Sequence, residues 1–203
     1  MGDNLDSADE AKKSNHCGVA DFMRRRKISR MLAMQYLFMA DMQNCWNELG
    51  WTEIGAFRYL AESVCSEEEA GDGAIRQEDL DASWSFANLL IGGAIPVKEE
   101  LDELICSAVT NWNINRISYV DRAILRLGAF EILMHPKNVT PATAINEAVE
   151  LAKKFSDRES HRFVNGVLDK VRHLVETRAA EAKENTVEEG AQKDGGVVEG
   201  AVE

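Results

Sequence analysis

Apolar positions along the middle of the chain return every three or four residues, the spacing of one face of an α-helix, while strand-like alternation is essentially absent. Ile28, Met31, Leu32, Gln35, Tyr36 and Met39 follow the i, i+3, i+4, i+7 rule and predict an amphipathic helix over about 21–43. Trp46, Ile54, Phe57, Leu60 and Val64 predict a shorter helix over about 46–65, and the acidic, glycine-containing stretch 67–73 reads as a loop. A third helix is expected over about 78–95, with Leu80, Trp84, Ala87, Leu90 and Ile91 inward. A fourth follows Pro96, marked by Leu101, Leu104, Ile105 and Ala108.

The fifth pattern is apolar on two sides. Ile117, Val120, Ile124, Leu127 and Met134 make one face and Leu125, Ala129 and Ile132 an adjoining one, which predicts a central, buried helix. Thr140 is a good N-cap and Pro141 suits the first helical position, so a sixth helix should run to about Lys154 with Ile145, Ala148, Val149 and Ala152 inward. Ser156-Asp157-Arg158-Glu159 has the form of a capping box opening a seventh helix, whose stripe is Phe163, Val167, Val171 and Leu174. All three prolines, Pro96, Pro136 and Pro141, fall where a helix boundary is wanted. The expected fold is all-α, a single compact domain of about seven helices over residues 21–178. Residues 1–20 and the acidic segment 179–203 carry too little apolar surface to offset the entropy of ordering, and read as disordered tails.

Charge changes this picture only through its distribution. The formal net charge of −12 argues against a nucleic-acid ligand, because binding phosphates needs clustered cations. Yet residues 179–203 hold seven acids against two lysines and residues 1–20 four against two, so more than half of the excess sits in the two ends. Between them the basic residues cluster. Arg24, Arg25, Arg26 and Lys27, with Arg30 one turn on, stand at the start of the first helix, where the helix dipole favours acids. A run that opposes local energetics in this way fits a grip on RNA phosphates, and it also fits a solvated charge run.

A second cluster lies between the sixth and seventh helices. Phe155 and Phe163 bracket Arg158, Glu159, Ser160, His161 and Arg162, and unstacked bases are held on aromatic rings and guanidinium planes. Phe163 shares its stripe with Val167 and Val171 and serves equally well as core. Asn146, Asn165 and Gly166 are unfavourable inside helices; a close helix approach at Gly166 would account for the glycine. Asp121, Arg122 and Glu131 decorate the apolar fifth helix, as surface ion pairs or as contacts to a partner.

Other chemistries find no support. The four cysteines, Cys17, Cys45, Cys65 and Cys106, occur singly with no histidine at zinc-ligand spacing, so neither a metal site nor a disulfide framework is expected. No glycine-rich phosphate loop is present, and no cofactor is implied. His161, Glu159 and Ser160 offer triad residue types, but helix neighbours point about 100° apart. No enzymatic activity is expected. Without a signal-peptide pattern or an apolar run of bilayer length, a cytoplasmic protein that does not enter membranes is the natural reading.

Four strings in order, Arg24-Arg25-Arg26 with Gln35-Tyr36-Leu37-Phe38, then Asp121-Arg122-Ala123-Ile124-Leu125-Arg126, then the run from Ala144 to Phe155, then Phe163-Val164-Asn165-Gly166-Val167-Leu168-Asp169, resemble the NusB transcription antitermination factors. The likeness extends from Arg24 to about Val175, and the last two strings are its most specific part. It implies binding to the boxA element of nascent ribosomal RNA together with the ribosomal protein NusE, and entry into an RNA polymerase complex that resists premature termination. It also implies an RNA surface of Arg24, Arg25, Arg26, Lys27, Arg30, Phe155, Arg158, Glu159, Ser160, Arg162 and Phe163, and a NusE surface including Phe38 and Asp121. From a different class, a helical protein-interaction or homodimerisation module without specific RNA binding fits the same helices, and a homodimer of the free chain is compatible with either reading.

Overall fold

A computed structural model describes residues 6–46, 55–59, 76–109 and 114–193. Seven α-helices are present among them: α1 (Asp6–Gln43), α2 (55–59), α3 (Gln77–Ala94), α4 (Lys98–Ala108), α5 (Tyr119–Met134), α6 (Pro141–Phe155) and α7 (Ser160–Lys193). Short 3-10 turns at Ile114–Arg116 and Pro136–Asn138 complete the description, and no described residue is in a strand. The all-α expectation holds. The loop expected over 67–73 and most of the helix expected over 46–65, with Ile54, Leu60, Val64 and Cys65, lie outside the described residues.

The fifth helix is central, as its two apolar faces require. α5 packs against α1, α3, α4, α6 and α7, and Ala123 through Ile132 are all buried. α1 lies against α3 and α5, and α6 and α7 pair with each other across α5. Tyr36, Leu80, Trp84, Leu101, Ile105, Ile124, Leu127, Leu151 and Leu168 meet in one continuous core. Met134, expected inward, is 54% exposed because it sits in the last turn, beside the chain reversal at His135. No helix among the described residues is long and apolar enough to cross a membrane.

Local signals set most boundaries. Ser118 caps α5, its hydroxyl accepting the Asp121 N–H at 3.1 Å, and Thr140 caps α6 by accepting the Thr143 N–H at 3.2 Å, with Pro141 at the first position. The expected capping box at Ser156 does not form. α7 starts at Ser160, Ser156 closes α6 instead, and its hydroxyl donates to Asp121 on α5. Nor is Gly166 a point of close approach: it is exposed, with nothing within 4 Å of where a Cβ would stand. That role belongs to Gly128, where a Cβ would lie 2.6 Å from Leu168 Cδ1 as α5 and α7 cross. α1 begins at Asp6 and α7 runs to Lys193, each reaching into a segment whose composition marks it as a tail; residues 176–182 of α7 are exposed throughout.

Candidate nucleic-acid interface

The arginine run meets four different surroundings. Arg24 and Arg25 turn toward α3, where the buried carboxylate of Asp79 lies 2.7 Å from Arg24 Nη2 and accepts from Arg25 Nε at 3.1 Å and Arg76 Nε at 2.8 Å. Burial alone would raise the Asp79 carboxyl, but the hydrogen bonds from Arg76 and Arg25 and the charge of Arg24 outweigh it and hold it below its ordinary value. Arg26 lies over the Phe86 ring, its guanidinium carbon 3.6 Å from the centroid. Lys27 is exposed.

Arg30, expected on the RNA surface, is a core residue. It is 4% exposed, and its Nε and Nη2 donate to the Glu131 carboxylate at 2.9 to 3.1 Å, with Glu147 3.6 Å from Nη1. It joins α1 to α5 and leaves no charge for a ligand. Burial lifts the Glu131 carboxyl above its ordinary value even against the attraction of Arg30.

Residues of α1 and α6 flank a groove of about 430 Å³. Lys27, Ile28, Arg30 and Met31 form one wall; Glu147, Glu150, Leu151, Lys153, Lys154 and Phe155 form the other. The fold thus brings Lys27 from the first basic cluster and Phe155 from the second, 128 positions apart in sequence, to one cleft. Lys153 and Lys154 are exposed; Lys153 Nζ pairs with Glu150 at 2.7 Å, and Lys154 Nζ stands 5.1 Å from the half-buried Phe155 ring. The Lys153 hydrogen bond holds the Glu150 carboxyl below its usual value.

The turn from α6 to α7 is pinned from beneath. Asp121, expected at a partner surface, is only 7% exposed and receives three serine hydroxyls: Ser156 on Oδ1 at 2.7 Å, and Ser118 and Ser160 on Oδ2 at 2.9 and 3.1 Å. Ser160 is likewise buried, so both sit beneath the turn and fasten it to α5. Arg158, Glu159 and Arg162 are exposed on the turn, with Arg162 Nη1 donating to Glu159 at 2.8 Å, and Phe163 is half-buried below them. Phe38 is also half-buried and meets Tyr119 edge to face at 6.5 Å, with Tyr119 47% exposed.

The second charge network is wholly structural. Arg122 Nε donates to Asp41 at 2.8 Å, Arg126 Nε to Asp102 at 2.6 Å, and Arg126 Nη1 lies 3.0 Å from Asp41, tying α5 to α1 and α4. Lys153 and Lys154 belong with Phe155 to the polar and aromatic cluster that the sequence shows, whereas Tyr119, exposed beside Phe38, carried no sequence signal. No group of acidic, histidine and cysteine side chains among the described residues could hold a metal ion.

The described residues thus form a small all-α protein that carries exposed cations beside aromatic rings. The comparisons narrow that class. The NusB family model matches residues 27–173, and the chain belongs to the NusB family. It is 46% identical to the transcription antitermination protein NusB of Elusimicrobium minutum over 74% of this chain and 94% of that one, and 33% identical to its counterpart from Bacillus subtilis over 75% and 98%. Among solved structures, NusB from Aquifex aeolicus is similar with a TM-score of 0.56 at 28% identity, covering 76% of this chain and 92% of that one. A crystal structure of the antitermination factors NusB and NusE in complex with double-stranded RNA gives 0.54 at 27%, covering 75% and 98%.

Proposed function

We propose that this protein is a transcription antitermination factor that binds boxA RNA of nascent ribosomal RNA transcripts together with NusE and acts in the RNA polymerase complex against premature termination. The observation that carries the RNA reading is the α1–α6 groove, where Lys27, Lys153 and Lys154 surround Phe155. Cations there meet phosphates and the ring accepts a base, a combination suited to single-stranded RNA. Arg158, Arg162 and Phe163 continue this face over the α6–α7 turn, while Asp121, Ser156 and Ser160 fix the turn's shape. Arg24 and Arg25, each about 40% exposed, supply charge beside it. NusE is met by Phe38 and the neighbouring Tyr119. The protein works by binding, without a catalytic step or a cofactor, in the cytoplasm where transcripts are made; residues 21–178 form the working domain.

Titration of the full chain with a boxA RNA and a scrambled RNA of equal length, each with and without NusE, tests this reading. Tighter binding of boxA RNA, strengthened by NusE and weakened steeply by salt, is expected. Equal binding of both RNAs with and without NusE would leave a helical protein-interaction or homodimerisation module in its place.

A further inference from the structure

The α1–α6 groove does not end at Arg30 and Glu147. Both residues also line a smaller depression of about 170 Å³ at the α5–α6 turn, with Phe22, Arg26 and Lys137. Phe22, Arg26 and Lys137 recur in a third depression, of about 330 Å³, between α1 and α3. The three depressions share lining residues and lie in succession along α1.

Three features of the far end of this series call for an anionic, stackable occupant. Phe22 is 54% exposed, an aromatic ring left in water beside a cation, with the Arg26 guanidinium 5.0 Å from its centroid. Arg26 itself lacks the partner that its neighbours have: Arg24 and Arg25 are matched to Asp79 and Arg30 to Glu131, but Arg26 Nη1 is buried with no hydrogen-bond partner among the described residues. Burial and the nearby Arg30 charge disfavour its charged form more than the Glu131 carboxylate favours it, and an incoming anion would add to the favourable side. Finally, Lys137 is held in the left-handed region at φ 53°, between His135 at 45° and Asn138 at 61°. That turn is fixed by His135 Nδ1 against the Val139 carbonyl at 3.1 Å. A lysine kept in a conformation that suits glycine or asparagine is a strained residue, and such strain clusters at ligand sites.

We propose that Phe22, Arg26 and Lys137 form a second nucleotide station, taking one further base and phosphate of the RNA strand whose first part occupies the α1–α6 groove. The proposal rests on the RNA reading given above. The base stacks on Phe22, and the phosphate is drawn to Lys137 and Arg26. Glu147, at the boundary between the two stations, already faces Arg30 at 3.6 Å, so the strand passes it with ribose or base edge rather than phosphate toward the carboxylate.

The test compares a short boxA RNA with the same RNA lengthened one nucleotide at a time at each end, bound to the full chain in fluorescence anisotropy, with 2-aminopurine at each added position. Lengthening at one end is expected to tighten binding by about fivefold or more, with quenching of the added base. Phe22→Leu should remove most of that gain and the quenching, and Phe22→Trp should retain both. Lys137→Ala should reduce the gain about threefold and lower the salt slope by about 0.7. None of the three should change binding of the short RNA. The second station is overturned if lengthening brings no gain at either end, or if Phe22→Leu and Lys137→Ala bind the long RNA as the parent does. It is equally overturned if Phe22→Leu weakens NusE association alone, which would make this face a protein surface. The paired change Lys153→Ala with Lys154→Ala weakens the short RNA; its failure to do so would remove the first groove from the RNA reading independently of the length series.

Discussion

Arg30 and Lys27 stand three residues apart in one basic run, yet they belong to opposite regions of the molecule. Arg30 is sealed between α1 and α5 on the Glu131 carboxylate, and with the Arg122, Arg126, Asp41 and Asp102 network it makes a charged framework inside an apolar core. Lys27, with Lys153 and Lys154 across the groove, stays in water. What separates these two cations is burial against a carboxylate of another helix: Arg30 is sealed on Glu131, and Lys27 is exposed. A buried guanidinium without its carboxylate would be ruinous, whereas an exposed ammonium without one is simply available. Cationic runs therefore divide into framework and interface only after the acids are placed.

Breaking the framework should have the largest effect. Arg30→Ala leaves Glu131 buried without its partner and is expected to cost about 3–5 kcal/mol in urea unfolding; replacing both, Arg30→Met with Glu131→Leu, should restore most of it. A single Arg30→Ala that lowers RNA affinity while leaving unfolding unchanged would erase the distinction between the two regions. Next comes Asp121→Ala, which strips three serine hydroxyls of their acceptor and should cost about 1–3 kcal/mol, while loosening the turn that carries Arg158 and Arg162. On the interface side, reversing Lys153 and Lys154 to glutamate should weaken boxA RNA by about tenfold or more, with stability within about 0.5 kcal/mol of the parent.

Smallest, and most diagnostic, are two pH effects of opposite sign. The folded Glu131 carboxyl titrates above its ordinary value of 4.5, so its contribution is fully present below that value and is lost as pH rises through the folded one. Asp79 titrates below its ordinary 3.8, so its contribution is present above that value and is lost as pH falls through the folded one. Melting temperatures followed across this range should lose the first component in Glu131→Gln and the second in Asp79→Asn. A shared response in both variants would contradict the separate surroundings described for the two acids.

Helix positions were legible where the signal is local. The Thr140-Pro141 start and the doubly apolar pattern from Ile117 to Ile132 depend on neighbours within one or two turns. The Ser156 capping box failed because its hydroxyl found a carboxylate on α5, a competitor invisible to a reading of four consecutive residues. For the same reason the sequence did not show that Asp121 and Ser160, which the resemblance put at partner and RNA surfaces, are buried and bonded to each other. Gly166 and Gly128 exchanged roles because which glycine lies at a helix crossing depends on how α5 and α7 are rotated toward each other.

By itself, the sequence determined that this chain is a set of helices with two basic and aromatic clusters, because hydrophobic period, capping and charge runs are written within a few turns of chain. Only the tertiary structure decided which cations are partnered. It brought Lys27 and Phe155 to one groove, sent Arg30 to Glu131 and left Arg26 beside Phe22 with its Nη1 lacking a hydrogen-bond partner among the described residues, because those outcomes depend on distances between residues far apart in the chain.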